Sequence, residues 1–362
     1  MPTNVRLAPR VRVFRPLFLS ACECEHAHIL ILSMTVSTLV TINTLCCEIC
    51  ANTTDNVGFK AREMIFGMRD EFTYFECTSC HCIQIDHVPD NLGDYYPAAY
   101  FAFKPQHKLA KARWRATLDR HRFKAALFGT SWLGSIANAV AKPLNYVEWS
   151  RHSGARQDAR VLDIGCGAGK LLVRMKHAGF KQCVGVDPFI NKTLNYANGT
   201  TIRAQTLNDF APGNSASFDF IMLHHALEHM PNQSEVLGHV KALLAPGGSV
   251  LIRIPVAECF AWRTYGADWV NLDPPRHLYL HTRASLALLA EQVGLEISKT
   301  IYDSTARQFV GSELWQRDIA LEESAPVRQS IEAKKQSYEQ DAKKLNTIND
   351  GDMAAFYLRH KS

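Results

Sequence analysis

The sequence predicts an α/β protein whose larger part is a doubly wound, mostly parallel sheet. Three observations support this class. Short apolar strands alternate with amphipathic helices from about residue 156 to the end of the chain. A glycine-rich turn follows the first of these strands, and two CxxC pairs stand upstream of it. Strand–helix alternation of this kind is typical of a parallel sheet with helices on both faces.

The bulk composition is that of an ordinary globular protein. The 362 residues are 47% hydrophobic and 21% charged, and the formal net charge is +5. This length suits one large α/β domain together with a smaller one. A mild positive charge does not by itself indicate nucleic acid, and no nucleic-acid partner is expected. The 11 cysteines are clustered, which favours metal binding over disulfides. We expect a cytoplasmic protein.

Residues 1–45 are predicted to be a poorly ordered N-terminal extension. Within them, the apolar stretch 28–47 is interrupted by Ser, Thr and Asn. A membrane-spanning helix needs about 20 mostly apolar residues, so no stable membrane insertion is expected. A cleaved secretory signal is not expected either, because the small residues that form its cleavage site are absent. A start at Met34 would leave residues 1–33 outside the protein.

A zinc-ribbon-like module is predicted over residues 46–90. Two CxxC pairs separated by 26 residues supply its candidate metal ligands: Cys47, Cys50, Cys77 and Cys80. Two such knuckles facing each other give four thiolates for a tetrahedral zinc ion, which would be structural because no position is open to water. Reduced, buried cysteines without a metal are the alternative. Three neighbouring residues could replace a ligand: Cys46, His81 and Cys82.

Residues 91–155 are predicted to form an aromatic and helical linker or lid. Apolar residues recur at three- and four-residue steps through 107–150, which indicates helices. The basic residues of 107–124 are more typical of a solvated helix face than of a nucleic-acid site. Three tyrosines could either cover an acceptor or pack the module onto the core: Tyr95, Tyr96 and Tyr100.

The glycine turn in VLDIGCGAGK, residues 161–170, excludes two common nucleotide-binding loops. A P-loop needs Ser or Thr after its GK pair, and this chain has Leu171 there. A dinucleotide loop, GxGxxG, needs its third glycine at the position of Lys170. The third glycine instead comes one place earlier, and Asp163 stands two residues before the first one.

The motif Asp163-x-Gly165-x-Gly167-x-Gly169 resembles the first motif of class I S-adenosylmethionine-dependent methyltransferases. Glycines let the backbone pass close to a bulky ligand, and a carboxylate suits the cationic end of this one. Asp187 follows 18 residues after Gly169. In the family, an acid at this place accepts hydrogen bonds from the ribose hydroxyls.

Two later segments, residues 218–232 and 243–255, resemble the fourth motif of the family and the helix and strand after it. The resemblance covers roughly residues 160–300. It implies a seven-stranded Rossmann-like sheet over residues 156–362, with S-adenosylmethionine as cofactor. The apolar run 354–360 is predicted as the last strand, so that 311–346 is a helical insertion. The resemblance implies further cofactor contacts: Gln205, Thr206 and His224.

Two polar loops carry the candidate catalytic residues. The segment HHALEH follows the fourth strand, and therefore faces the cofactor at the carboxyl ends of the strands. It supplies His225, Glu228 and His229. The loop 268–282 supplies His277. Histidine titrates near neutral pH and suits a general base, although EH at this place in the family often only fixes the loop.

The cysteine module followed by this core resembles a bacterial subgroup that includes sugar C-methyltransferases and methyltransferases of surface-polysaccharide clusters. The resemblance implies a small-molecule acceptor: a sugar, a nucleotide-sugar or a glycan precursor of polysaccharide biosynthesis. A protein or nucleic-acid methyltransferase that holds its substrate with the zinc module is the alternative. A binding module without turnover is a third hypothesis, which the complete glycine motif opposes.

Overall fold

The computed structural model describes five ranges of the chain: residues 45–96, 113–129, 131–140, 145–323 and 326–362. The predicted N-terminal extension therefore lies outside the described residues, except for Leu45, and Tyr100 lies outside them too. Within the five ranges, no helix is both long enough and apolar enough to cross a membrane.

The strands of the described ranges are short and lie mostly in the C-terminal two thirds of the chain. In chain order they are β1 (Val57–Arg62), β2 (Glu71–Glu76), β3 (Ile83–Ile85), β4 (Arg160–Ile164), β5 (Gln182–Val186), β6 (Leu194–Asn195), β7 (Thr201–Arg203), β8 (Phe218–His224), β9 (Leu244–Pro255), β10 (Tyr279–Leu280), β11 (Leu295–Tyr302) and β12 (Met353–His360).

The α-helices begin after the cysteine-rich segment and then alternate with the strands. They are α1 (Arg113–Phe128), α2 (Trp132–Val140), α3 (Asn145–Ser153), α4 (Lys170–His177), α5 (Leu207–Phe210), α6 (Gln233–Leu243), α7 (Phe260–Tyr265), α8 (Arg283–Gln292), α9 (Arg307–Trp315), α10 (Pro326–Ala333) and α11 (Lys335–Thr347).

The larger sheet has the strand order β11–β12–β9–β8–β4–β5–β7–β6. Strands β9, β8, β4, β5 and β7 pair in parallel, while β12 runs antiparallel between β9 and β11. This arrangement confirms the predicted doubly wound, Rossmann-like sheet. The two-residue strand β6 pairs antiparallel with β7 and adds an eighth strand to the seven expected.

Alternate residues of the central strands point into two separate cores, as expected for a sheet covered on both faces. Leu162 of β4 joins a core that includes residues of α6 and α8. Its neighbour Val161 joins a second core with residues of α1, α3 and α4. Because both faces are buried, the strands are continuously apolar, and that pattern made them recognisable in the sequence.

The crevice for a ligand is set by the position of β4 in the sheet. Strand β4 pairs with β5 on one side and with β8 on the other, so the strand order reverses there. Ligands of open α/β sheets bind beyond the carboxyl ends of the strands at such a reversal. The glycine turn after β4, Asp187 after β5 and HHALEH after β8 border this crevice.

The cysteine module shares a sheet with the larger part of the chain. Strands β1, β2 and β3 form an antiparallel ribbon, and β10 pairs antiparallel with β3. Tyr279 of β10 stands opposite Gln84 of β3. The module's buried residues also belong to the core that contains Leu162 and α8. The loop that carries His277 is therefore built against the module.

The charged segment near the C-terminus is helical. Helices α9, α10 and α11 lie between β11 and β12 in sequence, and β12 inserts between β11 and β9. Trp315 of α9 is buried, as is Ile331 of α10. The final strand covers the apolar run 354–360, and the three helices span residues 307–347, slightly more than the 311–346 insertion that was predicted.

Candidate active site and cysteine cluster

The glycine turn after β4 is packed so closely that larger residues do not fit. Gly165, Gly167 and Gly169 all have left-handed backbone angles, with φ of 70°, 53° and 73°. A Cβ on Gly165 would stand 2.7 Å from Cβ of Ala226, and one on Gly169 would stand 2.3 Å from Cδ1 of Ile202. The first contact also shows that HHALEH lies directly against the turn.

Asp163 is a buried acid with an unused oxygen. Its side chain lies at the end of β4 and is 3% exposed. Its Oδ1 atom has no hydrogen-bond partner within the described part of the chain. Burial, together with the charge of Asp187, raises the pKa of Asp163 to about 8. A cationic ligand group next to this oxygen would supply the missing partner and restore the ionised form.

Asp187 connects the end of β5 to the glycine turn. Its Oδ2 accepts a hydrogen bond from the backbone N–H of Gly167 at 2.7 Å, and its Oδ1 accepts one from Phe189 at 2.9 Å. Burial raises the pKa of this carboxyl. Each carboxylate oxygen has a second lone pair, so Asp187 can still accept hydrogen bonds from hydroxyls in the crevice.

The buried Asp163 should make the stability of the cofactor-free protein depend on pH. Its pKa is about 8 when folded and about 3.9 when unfolded, so its stabilising contribution is complete below about pH 4 and is lost as the pH rises through 8. Relative to Asp163→Asn, the wild type should lose up to about 1.4 kcal/mol of unfolding free energy per pH unit in this interval. Urea unfolding at pH 5, 6.5 and 8 measures the difference, and parallel pH curves for the two proteins would contradict it.

Two of the predicted cofactor contacts, Gln205 and Thr206, lie beyond the end of β7. Thr206 is the N-cap of α5: its hydroxyl accepts a hydrogen bond from the backbone N–H of Asp209 at 3.1 Å and donates one to Oδ2 of Asp209 at 2.6 Å. Gln205 precedes it in the loop after Arg203. The Thr206 hydroxyl is therefore used in the cap, and an adenine contact there would come from its backbone or methyl group.

His224, at the end of β8, faces the linker helix α3. Its ring lies 4.3 Å from that of Trp149, and its Nε2 is buried with no hydrogen-bond partner among the residues described. Burial holds the pKa of His224 well below its usual range. Arg253 covers the Trp149 ring at 5.3 Å. Trp149 and Arg253 were not predicted as site residues, because an aromatic residue on a linker helix does not indicate its partner.

Glu228 is a fully buried carboxylate in the HHALEH segment. Across the described ranges, neither of its oxygens has a hydrogen bond, and Nδ1 of His225 lies 3.4 Å from Oε1. Burial opposes ionisation, but His225 and the nearby His229 and His277 outweigh it and lower the pKa of Glu228 to about 2. With His225 as an ion-pair partner but no regular hydrogen bond, this buried carboxylate is a candidate for ligand contact.

His225 has a left-handed backbone, with φ of 50°, which is uncommon for a residue other than glycine. Its Nε2 contacts Nη1 of Arg253, and Nε of the same arginine forms an ion pair with Asp303. The ring is therefore held between Arg253 and Glu228. Its side chain is 45% exposed, so it borders the crevice without being enclosed.

His229 and His277 hold their rings in the same way. Nδ1 of His277 donates to the carbonyl of Asn271 at 2.7 Å, and Nδ1 of His229 donates to that of Arg276 at 2.8 Å. The other ring nitrogen of His277, Nε2, lies 3.7 Å from Oδ2 of Asp273. The two rings are 4.7 Å apart, and one atom each of Glu228, His229 and His277 lie within 4.8 Å of one another. The two loops that were predicted separately thus meet in one cluster.

Burial lowers the pKa of His277 to about 4, so its ring is neutral at physiological pH. The hydroxyl of Tyr96 stands 3.2 Å from Nδ1 of His229, and the Tyr96 ring stacks on Phe189. Tyr95 behaves differently, because its hydroxyl donates to Asp70 in the cysteine module. One of the predicted tyrosines therefore borders the cluster and another packs the module against the larger part of the chain.

Arg276 fixes the loop that carries His277. It is 1% exposed, and its guanidinium donates to Glu63 at 2.7 Å, to Asp273 at 2.6 Å and to the carbonyl of Tyr95 at 3.2 Å. Two carboxylates and a carbonyl satisfy this buried charge. The backbone next to His277 is thereby tied to the cysteine module.

The four sulfurs of the two CxxC pairs form one group, which we call the cysteine cluster: Cys47, Cys50, Cys77 and Cys80. Its Sγ atoms are separated by 3.6 Å between Cys47 and Cys80 and by 3.5 Å between Cys50 and Cys77. Tetrahedral zinc with bonds of about 2.3 Å places its sulfurs about 3.8 Å apart. The spacing and the donor type therefore fit a metal ion.

The polarity of the cysteine cluster also fits a cation. Gln84 and nearby backbone N–H groups donate hydrogen bonds to Cys47, which favours its thiolate, while its hydrogen bond with Cys47 and burial raise the pKa of Cys80. The possible substitutes lie elsewhere: Sγ of Cys82 is directed toward His281 at 4.0 Å, and the exposed His81 contacts Glu76. The two CxxC pairs alone form the group.

Comparison with known proteins agrees with this geometry. A family model described as a methyltransferase domain matches residues 139–300. A ubiquinone biosynthesis O-methyltransferase of Bordetella avium is 34% identical over 179 residues, which cover 43% of this chain and 73% of that protein. The chain belongs to the class I S-adenosylmethionine-dependent methyltransferases. The enzyme is thus a transferase whose cofactor is S-adenosylmethionine.

A second curated relative of this methyltransferase gives the same family. A ubiquinone biosynthesis O-methyltransferase of Xanthomonas axonopodis is 34% identical over 193 residues, or 48% of this chain and 78% of that protein. A solved S-adenosylmethionine-dependent methyltransferase of Archaeoglobus fulgidus is 17% identical, with a TM-score of 0.36, and the match covers 59% of this chain and 98% of that one.

The methyltransferase brings most of its predicted site residues to one crevice. The glycine turn and Asp163 lie at the end of β4, Asp187 follows β5, and His224 ends β8. Ala226 of the HHALEH segment touches the turn, and Glu228 of the same segment clusters with His229 and His277. Gln205 and Thr206 lie at the edge of the crevice, beyond β7. The role of each residue remains a prediction.

Proposed function

We propose that this methyltransferase transfers the methyl group of S-adenosylmethionine to a hydroxyl group of a small molecule bound over the Glu228–His229–His277 cluster. The observation that carries the proposal is this cluster: a buried carboxylate without hydrogen bonds stands beside two imidazoles whose Nδ1 atoms donate to backbone carbonyls. It lies against the glycine turn through Ala226, so donor and acceptor would occupy neighbouring parts of one crevice.

On the donor side, the proposed contacts follow the positions of the buried acids. Asp163 would pair with the ammonium group, and Asp187 would accept hydrogen bonds from the ribose hydroxyls. Gln205 and Thr206 would border the adenine, and His224 would close the wall beside Trp149. The bound cofactor supplies an electrophilic methyl group, and these residues hold it in line with the acceptor, which is where positional catalysis gains its rate.

On the acceptor side, a hydroxyl nucleophile must lose its proton as the methyl transfers. His277 is the proposed base, because its Nδ1–H is fixed on Asn271 and its Nε2 is free of a proton. Glu228 and His229 would orient the acceptor, and Glu228 would stabilise the imidazolium that forms. His225 is the second candidate for the base.

The class of acceptor is supported from two directions. The relatives are O-methyltransferases of ubiquinone biosynthesis, which supports a hydroxyl acceptor on a ring compound. The polar cluster and Tyr96 also suit a sugar, a nucleotide-sugar or a glycan precursor. A macromolecular acceptor is less favoured, because two arginines of the basic helix α1 are bound within the protein: Arg120 to His177 and Arg122 to Asn138.

The function is tested by calorimetry with S-adenosylmethionine, followed by mass spectrometry of reactions with sugars, nucleotide-sugars and phenolic ring compounds. We expect cofactor binding in the micromolar range and a gain of one methyl group on oxygen in one of these acceptor classes. If no binding were found at about millimolar cofactor, the proposed methyl-transfer function would be contradicted. Methylation of protein or RNA alone would contradict the small-molecule acceptor.

We further propose that the cysteine cluster holds a structural zinc ion. The two knuckles supply four sulfur ligands at spacings that suit tetrahedral coordination, and such a site leaves no position for substrate. Metal analysis of the purified protein should find about one zinc per chain. Less than about 0.3 zinc in a correctly folded preparation would contradict the proposal.

A further inference from the structure

We propose that Gln84 is a positioning residue that couples the cysteine cluster to the acceptor loop, residues 268–282. Metal bound at the cluster would thereby order the backbone that presents His277. The inference depends on the proposed function only in calling this loop the acceptor side. It assigns the metal a task beyond holding the small module together, since its effect would reach the opposite wall of the crevice.

Gln84 is a buried amide that spends both of its polar ends on the first knuckle. It is 2% exposed. Its Nε2 donates to Sγ of Cys47 at 2.8 Å, and its Oε1 accepts from the backbone N–H of Glu48 at 2.9 Å. A hydrogen bond to a thiolate is charge-assisted and stronger than one to a thiol. The side chain is therefore held best when Cys47 is a metal-bound thiolate.

The backbone of Gln84 belongs to β3, the strand that pairs with β10 of the acceptor loop. Gln84 stands opposite Tyr279 in the β3–β10 pair, and the N–H of Ile85 donates to the carbonyl of Leu278 at 3.0 Å. The hydroxyl of Tyr74 donates to the carbonyl of His277 at 2.8 Å. The module thus holds His277 and the residues that follow it.

Further contacts join the knuckles to the loop. The hydroxyl of Tyr279 contacts Glu48 in the first knuckle. The hydroxyl of Thr282 donates to the carbonyl of Cys80 in the second knuckle at 2.8 Å. From the loop, the N–H of Leu278 donates to the carbonyl of Glu228 at 2.7 Å. A continuous series of hydrogen bonds therefore runs from the sulfurs to the catalytic cluster.

The donor side takes no part in this series. The side chain of Asp187 accepts hydrogen bonds from Gly167 and Phe189, and its backbone N–H donates to Arg203. The turn packs on Ala226 and Ile202. When the metal is removed, four sulfurs lose the ion that holds them together, and the knuckles lose much of their folding free energy. We expect the loss to loosen the acceptor loop and to leave the donor side in place.

Hydrogen exchange measured by mass spectrometry tests this inference without any knowledge of the acceptor. The zinc-loaded protein is compared with the same protein after chelation. Peptides that cover residues 271–282 should exchange at least about tenfold faster after chelation, while peptides of residues 160–187 should change by less than about twofold. Calorimetry should find nearly equal affinity for S-adenosylmethionine in both forms.

Two matched variants separate the role of Gln84 from that of the knuckle in general. Gln84→Leu keeps the size and removes both hydrogen bonds. Gln292→Leu removes a comparable contact, since Nε2 of Gln292 donates to the carbonyl of Ile49 in the same knuckle at 3.0 Å, but it joins the knuckle to α8. Zinc-loaded Gln84→Leu should show faster loop exchange by about tenfold and faster release of zinc to a chelator. In Gln292→Leu, we expect both the exchange of the loop and the release of zinc to stay near the wild-type rates.

Three outcomes would overturn the inference. Unchanged exchange of residues 271–282 after zinc removal would show that the loop is independent of the metal. An equal increase in residues 160–187 would show that the metal supports the whole fold instead of positioning the loop. Equal behaviour of the two Leu variants would remove the special role of Gln84. A failure of cofactor binding contradicts the proposed function instead, because the exchange measurements do not depend on it.

Discussion

Replacing His277 by Gln should lower kcat by about 10²–10⁴, the range for loss of a general base. His277 is the proposed base because it is buried, is kept neutral and has Nδ1 bound to the carbonyl of Asn271. Gln can approximate the size and keep a hydrogen bond to that carbonyl, but it cannot accept the proton of the acceptor. Steady-state kinetics on the acceptor identified by mass spectrometry measure the loss.

The control for this variant is His225→Gln, on the other candidate loop. His225 is more exposed and is held between Arg253 and Glu228, so its loss should lower kcat by less than about tenfold. Affinity for S-adenosylmethionine should stay near the wild-type value in both variants. If His225→Gln were the inactive one, the base would be His225, and the assignment of His277 would be wrong.

Asp187→Ala should weaken the binding of S-adenosylmethionine by about a hundredfold or more. Two charge-assisted hydrogen bonds to ribose hydroxyls are worth roughly 1.5–3 kcal/mol each, and every 1.4 kcal/mol corresponds to about tenfold in Kd. The variant also removes the acceptor for the N–H of Gly167, so the turn loses a support. Asp187→Asn retains one oxygen acceptor and should lose less affinity.

The matched control is Asp219→Asn at the opposite end of β8. Asp219 forms an ion pair with Arg160 at 2.7 Å, at the end of the sheet where β4 and β8 begin. Its replacement should alter stability slightly, because partly exposed pairs contribute about 0–1 kcal/mol, and should leave cofactor affinity unchanged. Calorimetry on the wild type and the three variants measures the affinity for S-adenosylmethionine. If Asp187→Ala bound the cofactor as tightly as the wild type, the ribose would lie elsewhere.

Local patterns predicted the parts of this fold that depend on nearby residues. The strand β4, the glycine turn and Asp187 are set by apolar runs and by backbone angles that favour glycine, and these signals lie within one βαβ unit. The cap at Thr282 was also predictable, and its hydroxyl accepts the N–H of Ser285 as a capping residue should. A local sequence is sufficient where the stabilising contact is local.

The contacts that assemble the active site were not predictable, because their partners are far apart in the chain. Gln84 and Tyr279 pair across two separate segments, and Trp149 meets His224 only after α3 packs on the sheet. The two loops with Glu228 and His277 were each recognised as polar, but nothing in either one indicated that they form one cluster. Long-range pairing depends on the packing of the whole core, and a single sequence does not record it.

The strand β10 also determines how the chain can be divided. Because it completes the sheet of the cysteine module while its neighbours belong to the crevice, neither part has a closed boundary of its own. A chain that began at residue 113 would leave β10 without β3 and would expose an unpaired strand edge, which invites association between copies. We therefore expect the cysteine module and the larger part of the chain to fold and unfold as one unit.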